Sequence, residues 1–255
     1  MLNTATQARK PRIALMGEFS AGKSTLTNLL LGARPLPERV TATRLSPVWI
    51  SSGSPGAERE HLDGTRTPIS VEQIANVPIE DTRVIRLSFE AEMLDMFDLI
   101  DCPGISDPNM PVEVWERLVP EIDAVLWCTH ATQAWRQSEA TVWENIPEDV
   151  RKRSLLLITR FDKLKTERDR ARVLARVSHE TQDQFAGIYP MALLQALNAD
   201  EDEEAWRASG AHDFTEALVA MIHDLQADGL ADRSTATIAG NLDSRDFPRS
   251  RTDFH

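Results

Sequence analysis

The residues best placed to do chemistry stand together near the start of the chain: Gly17, Glu18, Phe19, Ser20, Ala21, Gly22, Lys23 and Ser24, followed by Thr25. Their spacing fits G-x-x-x-x-G-K-[ST] between an apolar run at residues 13–16 and a Leu-rich run at residues 26–31, so a buried strand leads into a tight loop and then a helix. Two glycines let the backbone fold closely around a phosphate, with successive N–H groups and the helix N-terminus aimed at the anion. Lys23 can reach the β- and γ-phosphates, and the Ser24 hydroxyl can ligate Mg²⁺. The stretch therefore predicts a site for nucleotide phosphates.

Two later stretches narrow the chemistry. Asp101-Cys102-Pro103-Gly104 follows the apolar run 97–100, and D-x-x-G at a strand end suits a carboxylate on the Mg²⁺ side with a glycine whose N–H meets the γ-phosphate. Thr159-Arg160-Phe161-Asp162-Lys163 closes the apolar run 155–158 and has the form of an [NT]-K-x-D base-reading motif. The Asp162 carboxylate can accept from both N1–H and the exocyclic amino group of guanine, a pair that adenine does not offer. Arg160 stands where lysine is usual; its stem can lie over the base and its guanidinium can stack on a ring.

These motifs need strands that end at one edge of a sheet. Strands are expected at residues 13–16, 47–50, 82–89, 97–101, 124–128, 155–159 and 187–191, with a turn at residues 51–56. Helices are expected at residues 21–31, with Leu26, Leu29 and Leu30 inward and Gly32 as cap, and at residues 111–119, 139–145 behind a Ser138 cap, 167–185 and 214–225. A short helix is expected at residues 70–75, and the rest of 57–82 has no clear pattern. Apolar strands alternating with helices predict an α/β fold with a mainly parallel sheet covered on both faces. Residues 1–228 are expected to form this domain, with 229–255 a polar, poorly ordered tail.

The chain has 255 residues, 42% hydrophobic and 27% charged, with a net charge of −12. That balance argues against nucleic acid as the principal partner, because phosphate backbones call for a basic patch. Arg151-Lys152-Arg153 and the basic residues between Lys163 and Arg176 read as solvated helix surface. No apolar run approaches the roughly 18 residues needed to span a bilayer. The start lacks the pattern of a cleaved leader, so a cytoplasmic protein is expected. Cys102 and Cys128 have no metal-ligand spacing and read as reduced packing residues.

Over roughly residues 12–195 the chain resembles a dynamin-like GTPase of the bacterial branch. The likeness rests on the loop Gly17–Ser24 with Thr25 to Asn28, on Leu36-Pro37 with Thr41-Ala42-Thr43 as switch I, on Asp101 to Gly104 as switch II, and on Ala131 to Glu139. The resemblance implies a P-loop GTPase fold in which Lys23 and the loop amides hold the phosphates. It implies that Ser24, Asp101 and a switch I threonine, Thr43 or alternatively Thr41, serve Mg²⁺. Ser20 would help hold a monovalent cation, K⁺ or Na⁺, and assist hydrolysis. The last base contact would fall near residues 189–192, where Met191-Ala192 stands in place of a serine-alanine pair.

The reaction implied is attack of water on the γ-phosphorus of GTP, giving GDP and phosphate. The catalytic set would be Ser20, Lys23, Thr43 and Gly104, and Arg39 or Arg44 are loop arginines able to offset charge. The resemblance also implies pairing of two such domains across the nucleotide, and leaves peripheral attachment to a membrane as a family property. A regulatory GTPase of the translation-factor type, or a nucleotide-gated scaffold that hydrolyses slowly and acts through a protein partner, are the competing readings.

Overall fold

The computed structural model describes residues 9–32, 46–105, 113–199 and 201–228. Thr41, Thr43, Arg39, Arg44, the Leu36-Pro37 pair and the tail 229–255 lie outside the described residues. The chain begins with β1 (Arg12–Gly17) and α1 (Lys23–Leu31), then β2 (Val48–Ser52), β3 (Gly56–His61), β4 (Arg66–Ile69), β5 (Thr82–Phe89) and β6 (Asp98–Asp101). After α2 (Glu113–Glu116) come β7 (Ala124–His130), α3 (Gln137–Glu144), α4 (Glu148–Arg151), β8 (Leu155–Thr159), α5 (Glu167–Glu180) and β9 (Gly187–Pro190). Three helices close the described chain: α6 (Leu193–Leu197), α7 (Glu203–Ala208) and α8 (Ala211–Ala227).

One nine-stranded sheet runs β4-β3-β5-β2-β6-β1-β7-β8-β9. The strands β6, β1, β7, β8 and β9 are mutually parallel, so their carboxyl ends share one edge. The outer part is mixed: β2 runs antiparallel to β6 and parallel to β5, while β3 runs antiparallel to both β5 and β4. Side-chain alternation sorts β1 between two cores. Ile13 and Leu15 join Leu26, Leu99, Leu126, Phe214 and Leu218 on one face. Ala14 and Met16 join Ile100, Trp127, Trp143 and Val177 on the other. Both faces are covered, which is why the central strands read as unbroken apolar runs.

Several expectations shift. In α1 the buried side chains are Lys23, Leu26, Thr27 and Leu31, with Leu29 and Leu30 only partly buried. The run Ser51-Ser52 continues β2, and Gly56 already starts β3. α3 begins at Gln137 with Arg136 as its N-cap, because the Glu139 carboxylate accepts from the Arg136 N–H at 2.9 Å. Ser138 is therefore inside the helix rather than its cap. α5 stops at Glu180, where the Thr181 hydroxyl donates to Val177 O. The helix expected at residues 70–75 is a 3-10 segment, Val71–Asn76.

The hairpin of β3 and β4 has no apolar alternation: the buried residues of β3 are Ala57 and, three positions on, Glu60, 4% exposed. Its carboxylate accepts from Arg66, Arg83 and Arg86. Arg83 also reaches Glu121, which pairs with Arg12 at 3.0 Å, and Arg12 and Arg86 both lie over the Trp49 ring, at 4.6 and 4.4 Å. This network binds the outer strands to β1. Burial pushes the Glu60 pKa up, but the hydrogen bonds from Arg86 and Arg83 outweigh it and leave the pKa below its ordinary value of 4.5. A carboxylate with a depressed pKa stabilises the fold above its unfolded pKa and loses that contribution as pH falls through the folded one. Replacing Glu60 by Gln should cost about 2 kcal/mol at neutral pH. The gap in melting temperature between wild type and Glu60→Gln, followed by circular dichroism, should narrow as pH drops below 4.5.

Candidate functional site

The loop after β1 owes its shape to backbone crowding. Gly17 has φ +136°, and a Cβ there would lie 2.0 Å from the Cys128 carbonyl oxygen on the neighbouring strand. Ser20 (φ 60°) and Gly22 (φ 93°) also take left-handed conformations, and Gly22 caps α1 with no side chain serving the first-turn amides. Those amides point out of the helix as an anion site. The turn closes through Ala21 N–H to Glu18 O at 3.2 Å. Ser24 and Thr25, in the first turn of α1, are half-buried.

Lys23 is 9% exposed, and its Nζ donates to Gly17 O at 3.0 Å and Glu18 O at 2.9 Å. Burial lowers its pKa, with Asp101 as the leading group pulling the other way. Asp101 lies at the end of β6, opposite Leu15 of β1. It keeps a strip of solvent contact, yet the atoms crowding its carboxyl push its pKa up to about 6 against the attraction of Lys23. Beyond it the chain turns back over the P-loop: Ile105 N–H donates to Gly17 O at 3.2 Å, and a Cβ on Gly104 would stand 2.9 Å from Phe19 Cα. Phe19 itself is 64% exposed.

The third motif is tied to the first by side chains. Thr159, fully buried, places its hydroxyl 2.7 Å from Ala21 O and 3.1 Å from Thr129 O. Arg160, with φ 52°, donates through a guanidinium nitrogen to Ser20 O at 3.2 Å. Asp162 and Lys163 follow in a 3-10 turn with their charged groups 3.6 Å apart. Phe161 N–H donates to Met191 O at 3.1 Å, which joins this loop to the one after β9. Met191 is fully buried, its N–H donating to Ile158 O, and the Ala192 N–H donates to Ser209 O at 2.9 Å. The two amides are thus spent inside the fold, while Leu193 packs against Gly22.

All the motif residues within the described chain, from Gly17–Thr25 through Asp101–Gly104 to Thr159–Lys163, therefore meet at one edge of the sheet. A feature with no sequence signal adds to them: the Ser138 hydroxyl donates to Glu18 Oε1 at 2.7 Å. The donor set fits a nucleotide with Mg²⁺. Glycines stand where a Cβ would collide, the first-turn amides of α1 carry no side-chain cap, and a buried lysine and a carboxylate flank the same loop. Among the described residues no cluster of three or more His, Cys, Asp or Glu could hold a metal by itself. A cation at Ser24 and Asp101 would take its other oxygens from phosphate and water.

The sheet order and the phosphate loop define a P-loop GTPase domain. Residues 13–161 match the sequence profile of the Dynamin family. The chain belongs to that family. It is 25% identical over 196 residues to the GTPase Era of Aquifex aeolicus, covering 74% of this chain and 53% of that protein. It is 22% identical over 216 residues to Dynamin-like protein 2 of Campylobacter jejuni, covering 82% of this chain and 34% of that protein. In structure it is similar to a chain of an oligomerised bacterial dynamin pair described as sensing and tethering membranes, with a TM-score of 0.61 at 17% identity over 92% of this chain and 38% of that one. The chain thus spans about half the length of the Era relative and about a third of the dynamin-like one.

The contrast between two glycines tests the loop geometry. Gly32, at the end of α1, has φ +61° and open space around it, so Gly32→Ala should cost only about 1 kcal/mol. Gly17→Ala drives a methyl into a carbonyl on β7 and should cost about 3 kcal/mol or more. Urea titrations of both variants check the difference.

Proposed function

We propose that this domain binds GTP through the loop Gly17–Ser24 and hydrolyses it to GDP and phosphate. The observation that supports the reading is the hydrogen bonding of Thr159 and Arg160 to Ala21 O and Ser20 O, which ties the loop carrying Asp162, in this reading the base-reading carboxylate, to the phosphate loop. A carboxylate at that place accepts the two edge donors of guanine. In this reading Met191, fully buried, supports the base site from behind, and neither its amide nor that of Ala192, both committed to the fold, donates to the base.

The residues divide the work. The first-turn amides and Lys23 hold the β- and γ-phosphates, and Lys23 is kept in place by the carbonyls of Gly17 and Glu18. Ser24 and Asp101 serve the cation, with Thr43 of the switch as their companion. Mg²⁺, when bound, draws off charge from the β- and γ-oxygens. Gly104, packed so closely on Phe19 that a Cβ would stand 2.9 Å from the Phe19 Cα, would supply its N–H to the γ-phosphate. Ser20, left-handed in the loop, would offer its hydroxyl to a monovalent cation, K⁺ or Na⁺, its main-chain oxygen being taken by Arg160. No side chain needs to act as a base, since phosphoryl transfer is driven by position and charge.

Pairing of two domains across the nucleotide, and coupling of turnover to a membrane surface, extend this reading. Their support is the family and the bacterial dynamin pair whose fold this chain shares. Among the described residues no helix is long and apolar enough to cross a membrane.

Lys23→Ala should remove GTP turnover measured by phosphate release, a loss of about a hundredfold or more. If domains pair, turnover per molecule rises with protein concentration; a flat profile would rule pairing out. Asp162→Asn should weaken GTP and favour xanthosine triphosphate, and an unchanged preference in competition binding would remove Asp162 from the base site.

A further inference from the structure

A carboxylate inside a phosphate-binding loop is an odd choice, since it repels the ligand unless its charge is engaged elsewhere. Glu18 is only 7% exposed, and its Oε1 accepts the Ser138 hydroxyl at 2.7 Å, a partner 120 residues away at the second position of α3. Such a bond to an ionised acceptor is short and strong. The segment it reaches is held as a unit. The buried Glu139 accepts from Trp127 Nε1, the Thr129 hydroxyl and the Arg136 N–H, each at 2.9 Å. The Trp135 N–H donates to the Thr129 hydroxyl at 2.9 Å, and the Trp135 ring, at 6.1 and 6.4 Å from those of Trp127 and Trp143, packs edge-on to both. This loop carries His130 and Arg136. Together with Arg160, Arg136 lies close enough to His130 to depress its pKa, after the larger effect of burial. The three groups therefore share one rim of the site, and Arg160 of that rim also touches Ser20 O.

The geometry points to Glu18 and Ser138 as a latch that couples the phosphate loop to the segment running from the end of β7 into the first turn of α3. Both act as positioning residues: the Glu18 side chain and Ser138 set where the rim stands during turnover without touching the reacting atoms. The inference rests on the GTPase reading above. It separates the Glu18 side chain, which faces Ser138, from the Glu18 main chain, which accepts from Lys23.

The test uses Ser138→Ala, Glu18→Ala, their double variant and Ser138→Thr, which keeps the hydroxyl. In steady-state GTP hydrolysis each single alanine variant should lose about tenfold in kcat, while KM and the GDP affinity stay within about threefold. The double variant should be no worse than either single one, and Ser138→Thr should regain most of the lost rate. Nucleotide binding should also change the part of the tryptophan emission that Trp135→Phe removes, and both alanine variants should abolish that change. Turnover in the unaltered protein combined with additive losses, or with losses confined to GDP affinity and melting temperature, would overturn the latch alone. Absence of GTP turnover in the unaltered protein would overturn the GTPase reading and the latch with it.

Discussion

The contact on which the site depends is the near-collision of two main chains, Gly17 at the end of β1 and Cys128 on β7. Parallel pairing brings the strands to ordinary spacing, but the loop must leave β1 sharply to turn its amides inward. Only a residue without a Cβ can make that turn beneath a carbonyl. Once it is made, Gly17 O and Glu18 O are presented to Lys23, Gly17 O receives the N–H of Ile105, just past the Asp101–Gly104 stretch, and Gly22 starts α1. The sheet supplies the rest by register. His130 stands opposite Thr159, and Ile158 opposite Pro190, so each successive strand delivers its loop at the same height.

The electrostatics are arranged in two zones with different logic. At the site, Lys23 and Asp101 are brought into low-dielectric surroundings, where burial pulls the pKa of each toward its neutral form and their mutual attraction resists this. Such a pair is poised to respond to an added anion and cation. On the outer strands the charges are saturated instead: Glu60 and Glu121 share Arg12, Arg66, Arg83 and Arg86. The first arrangement suits binding, the second suits holding a strand in place.

Much of the site was legible from the chain because phosphate binding and base reading need particular residues at fixed spacing. The hydrogen bonds of Thr159 and Arg160 to Ala21 O and Ser20 O, and of Ile105 N–H to Gly17 O, bring the three stretches to one edge of the sheet. The central strands were legible because they are buried on both faces. The β3–β4 hairpin was not, since Glu60 is buried in place of an apolar side chain and two of its three arginines, Arg83 and Arg86, come from 23 and 26 residues away. Nor was the Ser138 contact, because a serine before Glu139 reads locally as a cap, and its real acceptor comes from a loop 120 residues earlier. The short helices α6 and α7 carry too few turns for periodicity to register.

The two outermost strands share a property. β4 contains Pro68 and β9 ends in Pro190, so each margin of the sheet lacks an amide that a visiting strand would need. Copies of this domain are thereby discouraged from joining edge to edge into a continuous ribbon. The pairing proposed above would instead engage the loops at the carboxyl ends of the parallel strands.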